Sequence, residues 1–277
     1  MMNSADKHDF EELMFWGRIE GMQNDYYICL GVTYTDKYEF PEKRFYWASS
    51  ADFKFNKFDK LNDQHFQTFA QVSGMFTGDP KKVLINVEPP KPDAQEGGAE
   101  GSAEVPVPAE PVEKDPLAST EEEDPNANFQ PRNLIEQDRL QFTVFAIEND
   151  CHIIPKGSYK LTDQHEIHRN NAYRGMDVES ALLPASYMHF RSAQDHVKKA
   201  GLEKDDCVFK TDFLDEASNQ LFKGALTGVK AGTKQNVALL RNHVWPGFTT
   251  FSVAGSKNFG SFYFGEGIKN MDLTFQI

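Results

Sequence analysis

Cysteine is scarce in this chain: Cys29, Cys151 and Cys207 are far apart and odd in number. They define no disulfide framework and no CxxC metal pair, so the expectation is three reduced thiols in a cytosolic-type compartment. A run of about 18 apolar residues is also missing, so no helix is expected to span a membrane. The opening MMNSADKHDFEEL lacks an apolar h-region and an Arg-rich amphipathic pattern, so neither a secretory signal nor a transit peptide is expected. The closing MDLTFQI is no prenylation or retention signal. No GxSxG elbow, no HExxH pair and no recognised cysteine-nucleophile motif occurs.

Positive charge is in deficit. The formal net charge is −13 over 277 residues, yet Glu88 to Asp124 alone holds twelve acids against two lysines, a net of −10, and leaves −3 for the rest. A nearly neutral fold beside an acidic tract offers no face that would neutralise phosphates, which argues against nucleic-acid binding. The same tract has seven prolines and no aromatic ring. It cannot bury enough apolar surface to offset chain entropy, so a disordered, self-repelling insertion is expected at a surface turn. Its bland role is a solvating spacer; the sharper one is a tether for a basic partner.

Rings are plentiful, with 23 phenylalanines. MFWGRIEG and DYYICLGVTYT flank Met22-Gln23-Asn24 and read as a hairpin, and KRFYWAS reads as a third strand. NDQHFQTFAQV spaces Phe66, Phe69 and Val72 for a short helix, and GMFTGD and KKVLINV read as strands. Past Pro131, a helix first-turn residue, Leu134, Leu140, Val144 and Ile147 form a helical stripe to about Asp150, although Phe142-Val144-Ala146 also alternates. CHIIPKGSYKL is strand, turn, strand. MDVESALLPASYMHF opens with an acidic helix turn that stops before Pro184. LFKGALTGVKAGTKQNVALLRN is a hairpin, and FTTFSVAG with NFGSFYFGEG is another. The fold class is therefore α+β, mainly antiparallel strands and hairpins with a few short helices, interrupted by the acidic linker. The expected organisation is an ordered block at 1–87, the insertion at 88–130 and a second ordered block at 131–277, the two blocks packing as one domain.

Asp163, His165 and His168 make an HxxH pair with a nearby carboxylate, the raw material of a zinc-dependent hydrolase. The spacing after a strand sends the two imidazoles to opposite faces, so a solvated loop is the better account. Gly255 to Ser261, GSKNFGS, has Ser261 where a phosphate loop needs lysine and reads as a hairpin turn. Arg241 and His243 precede Trp245-Pro246-Gly247 without nucleophile or ligand spacing. That bend is expected to end one strand and start the next, with Trp245 facing the core. Trp16, Tyr26 and Tyr27, with Phe251, Phe259, Phe262, Tyr263 and Phe264, form an aromatic set of which alternating positions should be buried. Those left exposed would suit a protein interface.

Six blocks occur in order: FWGRIEGMQNDYYICLG (15–31), GMFTGDP (74–80), IIPKGSY (153–159), LLRNHVWPGFTTF (239–251), KNFGSFYFGEG (257–267) and KNMDLTFQI (269–277). Together they resemble the radial spoke head protein nine family of motile cilia and flagella. The last three also resemble the C-terminal part of the spoke head proteins of types four and six. The resemblance covers both ordered blocks and leaves out the acidic segment. It implies a non-enzymatic structural subunit of the axonemal radial spoke head, relaying mechanical signals from the central pair to dynein. It implies types four and six and other spoke subunits as partners, with no cofactor, metal, nucleic acid, membrane or small-molecule substrate. Signature or partner-interface residues are expected among Trp16, Tyr26, Tyr27, Trp245, Phe259, Tyr263, Lys269, Asn270 and Asp272. The rivals are an adaptor outside cilia that uses the acidic segment, and the metal-dependent hydrolase.

Overall fold

The computed structural model describes residues 10–34, 40–58, 69, 72, 74–85, 133–162, 166–198, 212–220, 224–232 and 236–276. The chain divides into a larger unit, residues 1–82 and 136–277, and a smaller one, residues 83–135. Along the described chain the strands are β1 (Glu12–Ile19), β2 (Tyr26–Thr33), β3 (Glu42–Ser49), β4 (Asn56–Lys57), β5 (Val83–Ile85), β6 (Leu134–Ile135), β7 (Ile153–Pro155), β8 (Tyr159–Leu161), β9 (Ile167–Arg169), β10 (Tyr187–His189), β11 (Leu226–Ala231), β12 (Val237–Asn242), β13 (Phe248–Val253) and β14 (Phe259–Gly265). One long helix, α1 (Glu136–Cys151), separates β6 from β7.

Eight strands of the larger unit form one sheet in the order β11-β12-β13-β14-β1-β2-β3-β4. Two antiparallel meanders meet in it, one from each ordered block of the sequence. Their junction departs from the antiparallel expectation: β1 and β14 run parallel, with Gly17 opposite Tyr263 and Arg18 opposite Phe264. A Cβ on Gly17 would lie 2.2 Å from the Tyr263 carbonyl oxygen, so the seam closes because that position is glycine. The β1–β2 register slips between Phe15 and Gly17, which makes Trp16 a bulge residue. The bulge lets Trp16 and Ile19 both point inward and leaves Phe15 and Arg18 outward, a pattern strict alternation does not produce.

The smaller pairings are β7 with β10 and β8 with β9. The strands on either side of the Pro-Lys-Gly turn thus join different partners. In the smaller unit β5 pairs with β6, Val83 opposite Ile135. Asp177 caps the helical turn Val178–Ala181, accepting from the Ser180 amide, and that turn ends before Pro184 as its sequence indicates.

Two expectations change. The helix begins at Glu136, because Leu134 and Ile135 belong to β6. GMFTGD is a loop, with a bridge from Phe76 to Gly21 and the Phe76 ring packed on Tyr26. Its Thr77 and Gly78 amides donate to the Glu136 carboxylate, so a strand ladder has no use of them. The expected helix over Asn62–Val72 lies outside the described residues except for buried Phe69 and half-buried Val72. The acidic segment Glu88–Asp124 and Pro131 also lie outside them.

The main core lies between the large sheet and α1, where Leu140, Val144, Ile147 and Cys151 pack against Trp16, Ile19, Tyr26, Ile28, Leu30, Phe45, Trp47, Trp245, Phe248 and Tyr263. Each fully buried aliphatic side chain of α1 contributes about 1.5–3 kcal/mol. A second cluster forms around Ile154, Tyr159, Met188, Phe190 and Phe213.

Two features give measurable stability effects. Gly247 has φ 106°, and a Cβ there would sit 2.1 Å from the Phe264 carbonyl oxygen, whereas at Gly232, with φ 69°, it would meet nothing. Both alanine variants should carry backbone strain of about 1–3 kcal/mol, and Gly247→Ala should be the worse by denaturant titration, since the close approach acts in addition. His189 on β10 is 1% exposed with no partner on either ring nitrogen. Burial, reinforced by the charge of Arg191, lowers its pKa to about 4. The unfolded chain binds this proton at a pKa of about 6.5, so the His189 contribution is complete above that pH. It is lost as pH falls toward 4. Wild type should lose up to about 3 kcal/mol across that window, and His189→Leu should flatten the loss in Tm measured against pH.

Candidate functional site

Helix α1 is an unusual core element. Alongside its apolar stripe it buries Glu136, Asp138, Arg139, Gln141, Thr143 and Glu148. A buried carboxylate costs several kcal/mol unless it is hydrogen-bonded or paired. The partners come largely from side chains and loops that the large sheet positions.

At the N-terminus of α1, the Glu136 carboxylate accepts four hydrogen bonds. Tyr26 Oη donates at 2.7 Å and the Gly78 amide at 2.8 Å to Oε1, while the Thr77 amide at 2.9 Å and Thr77 Oγ1 at 2.6 Å donate to Oε2. Burial pushes the Glu136 pKa up, but the donors from Thr77, Tyr26 and Gly78 outweigh it and hold it below the ordinary carboxylate value. The first turn of a helix favours this negative charge too. One turn on, the Arg139 guanidinium donates to the Gly74 carbonyl and lies 4.2 Å from the Phe76 ring centroid. GMFTGDP is thereby clamped by two side chains of one helix face.

Near the C-terminus, Glu148 is the centre of a buried ion cluster. Trp16 Nε1 donates to its Oε2 at 2.8 Å. Lys43 Nζ lies 2.6 Å and His152 Nδ1 2.5 Å from its Oε1. Burial opposes ionisation of Glu148, yet the charges of His152 and Lys43 outweigh it and hold the carboxyl far below its ordinary range. Lys43 also donates to the Phe190 carbonyl and sits 4.7 Å from that ring centroid.

Two residues further on, Asp150 Oδ2 accepts from Trp245 Nε1 and from Lys269 Nζ, each at 2.9 Å, and Lys269 lies 5.7 Å from the Trp245 ring centroid. Asn242 Oδ1 accepts from the Val244 and Trp245 amides and so folds the bend that ends β12. The Asn270 amide donates to the Val244 carbonyl. Tyr263 Oη accepts from the Gly267 amide at 2.9 Å.

Of the nine residues singled out from the sequence, Trp16, Tyr26, Trp245 and Tyr263 are buried in this chain's own core. Trp245 is 5% exposed, in keeping with the inward orientation expected of it. Trp245, Lys269 and Asn270 are brought together around Asp150 and the bend, with Asp272 donating its amide to Asn270 Oδ1. Tyr27 and Phe259 stand apart, Tyr27 against Phe53 and Phe259 edge-on to Tyr173. Sequence reasoning missed Glu136, Glu148 and Asp150, the carboxylates that organise the arrangement. Their signal was four acids, Glu136, Asp138, Glu148 and Asp150, spread along a helix whose other residues bury an apolar stripe.

The other constellations resolve simply. His168 lies on β9 with Nε2 2.8 Å from Glu166, while Asp163 and His165 lie outside the described residues. No group of three metal-binding side chains occurs among the described residues. GSKNFGS is the β13–β14 turn, where the Val253 amide donates to the Asn258 carbonyl. A cleft of about 50 Å³ lined by Trp16, Glu148, His152, Tyr159, Arg169 and Ser261 has room for a few waters only. Among the described residues, no helix is long and apolar enough to cross a membrane.

No protein-family model matches the chain. It is 28% identical to the Radial spoke head protein 9 homolog of Mus musculus and 27% identical to that of Homo sapiens, in each case over 97% of this chain and 86% of the relative. The Danio rerio protein of the same name is 27% identical over 98% of this chain and 86% of its own length. The curated relatives at 24–28% identity thus carry the name of the family that the six ordered blocks resemble.

The ion cluster makes a sharp energetic prediction. Glu148→Gln keeps the shape but strands Lys43 without a countercharge, which should cost roughly 3–5 kcal/mol in denaturant titration. Adding Lys43→Met should recover part of that loss. The depressed Glu148 pKa means its stabilisation is present above the ordinary carboxylate pKa of about 4.3 and is lost as pH falls below it. Wild type should show that acid loss, and the double variant should show less of it.

Proposed function

We propose that this protein is a structural, non-enzymatic subunit of the radial spoke head in the axoneme of motile cilia and flagella. The observation that carries the proposal is similarity along 97% of the chain to relatives named Radial spoke head protein 9 homolog. In this reading the chain assembles with spoke head proteins of types four and six and with other spoke subunits. It supports transmission of mechanical contact from the central pair to dynein and so shapes the beat.

The geometry fits a load-bearing part. The family-like stretches from Phe15 to Gly31, Gly74 to Pro80 and Leu239 to Phe251 are cross-linked through α1 by Tyr26–Glu136, Thr77–Glu136, Trp16–Glu148 and Trp245–Asp150. These contacts tie distant parts of the larger unit into a stiff body. Glu148 and His152 are engaged with each other, and Glu148 also holds Lys43 and Trp16.

Gene disruption with axonemal proteomics and electron tomography tests the proposal. Loss of the chain should leave spokes with incomplete heads and an altered waveform, and re-expression should restore both. Normal beating after disruption, with the wild-type chain recovered in the detergent-soluble fraction, would overturn it. The hydrolase rival is tested by zinc titration of the purified chain: Tm should not rise, and His168→Ala should leave axonemal incorporation unchanged.

A further inference from the structure

An antiparallel sheet covered on one face ordinarily turns polar side chains to water on the other. The large sheet does so only in part. With α1 against its inner face, its outer face carries a row of rings across neighbouring strands. Phe251 and Phe262 have centroids 6.4 Å apart, Phe262 and Phe264 5.4 Å, and Phe264 and Phe15 6.1 Å. Phe15 and Phe264 remain 49% and 45% exposed, and Leu13 beside them is 47% exposed.

The row continues past the parallel seam. Arg18, opposite Phe264 in the register, places its guanidinium 5.9 Å from that ring's centroid and is itself opposite Tyr27. Tyr27 packs at 5.4 Å on Phe53, which is 60% exposed. Phe53 is also the only non-glycine residue with positive φ, at 52°, among the described residues. A phenylalanine held in the left-handed region and left in water is strained at no gain to this chain's own core. Exposed, mutually packed aromatics with an interleaved arginine are the composition of a protein-binding hot spot.

Charge decides what kind of surface fits. Arg18 and Arg44 face outward but are held by their neighbours, Arg18 by Glu20 and Asp25 and Arg44 by Glu42. Arg241 stands outward on β12, between Thr227 and Thr249, with no ion pair or hydrogen bond to its side chain among the described residues. A second copy on this face would bring Glu20, Asp25 and Glu42 already engaged by its own arginines, and so would offer Arg241 a poorer match than a partner with a free carboxylate. We infer that the outer face of the eight-stranded sheet is a docking surface for a different protein, one that lays apolar side chains on the Phe251–Phe262–Phe264–Phe15 row and sets a carboxylate against Arg241. This inference rests on the spoke-head reading, which supplies neighbouring subunits, and adds where one of them sits.

The test adds the purified full chain to axonemes from cilia that lack it, and measures incorporation by quantitative immunoblot. Failure of the wild-type chain to incorporate would count against the spoke-head reading itself. If it incorporates, Phe15→Ser/Phe264→Ser and, separately, Arg241→Glu should each reduce incorporation roughly tenfold or more, while Val197→Ser, at an exposed site off the sheet, should not. All three variants alter exposed side chains, so Tm should stay near wild type. Equal incorporation of the face variants would overturn the docking surface. A photo-crosslinker at Phe262 in the wild-type background identifies the occupant by mass spectrometry. A cross-link to a different spoke chain, in a peptide with an Asp or Glu, is expected. A cross-link to a second copy, a cross-link to residues 88–124 of the same chain, or none at all in an incorporated sample would overturn the inference.

Discussion

Helix α1 must bury charge in order to pack, and the rest of the larger unit is arranged around that necessity. Glu136 and Glu148 are both nearly inaccessible to water, at 0% and 5% exposure. An unpaired carboxylate there would destabilise the fold by more than any single apolar contact could return. The sheet meets the demand with aromatic donors: Tyr26 for Glu136, Trp16 for Glu148 and, at the helix end, Trp245 for Asp150. Each ring fills core volume and satisfies an acid with its polar tip, which is why tyrosine and tryptophan rather than phenylalanine occupy these positions.

This division of labour sorts the aromatic residues by orientation. Trp16, Tyr26 and Trp245 point their donors toward α1, while Phe15, Phe251, Phe262 and Phe264 point outward. The bulge at Trp16 makes the sorting possible in β1, because it turns Trp16 and Ile19 to the same side and leaves Phe15 and Arg18 on the other. The parallel seam between β1 and β14 then aligns Arg18 with Phe264. One irregularity in one strand therefore shapes the inner network and the outer aromatic row together.

Much of the strand content was legible because period-two alternation and Gly- or Pro-marked turns are local signals. The hairpins β1–β2, β11–β12 and β13–β14 all fall where those signals placed them. GMFTGD was misread for a physical reason. Its residues favour extended backbone, but Glu136, far away in sequence, takes the amide donors a strand would need. The start of α1 was misread because Leu134 fits the helical stripe, while β5 pairing claims it instead. Among the site residues, Trp245 was visible as a bend-filling ring, whereas its acceptor Asp150 was one acid among many.

By itself the sequence determined the α+β class, the hairpins, the capped turn at Asp177 and the ordered motifs that link this chain to its relatives. All depend on neighbours a few residues away or on the order of short blocks. Only the tertiary structure decided that the two meanders join through a parallel pair and that α1's acids find the rings of distant strands. It alone showed which phenylalanines are left facing outward. Those outcomes depend on long-range register, where a single bulged residue reverses which side chains meet the core, and no local pattern carries that information.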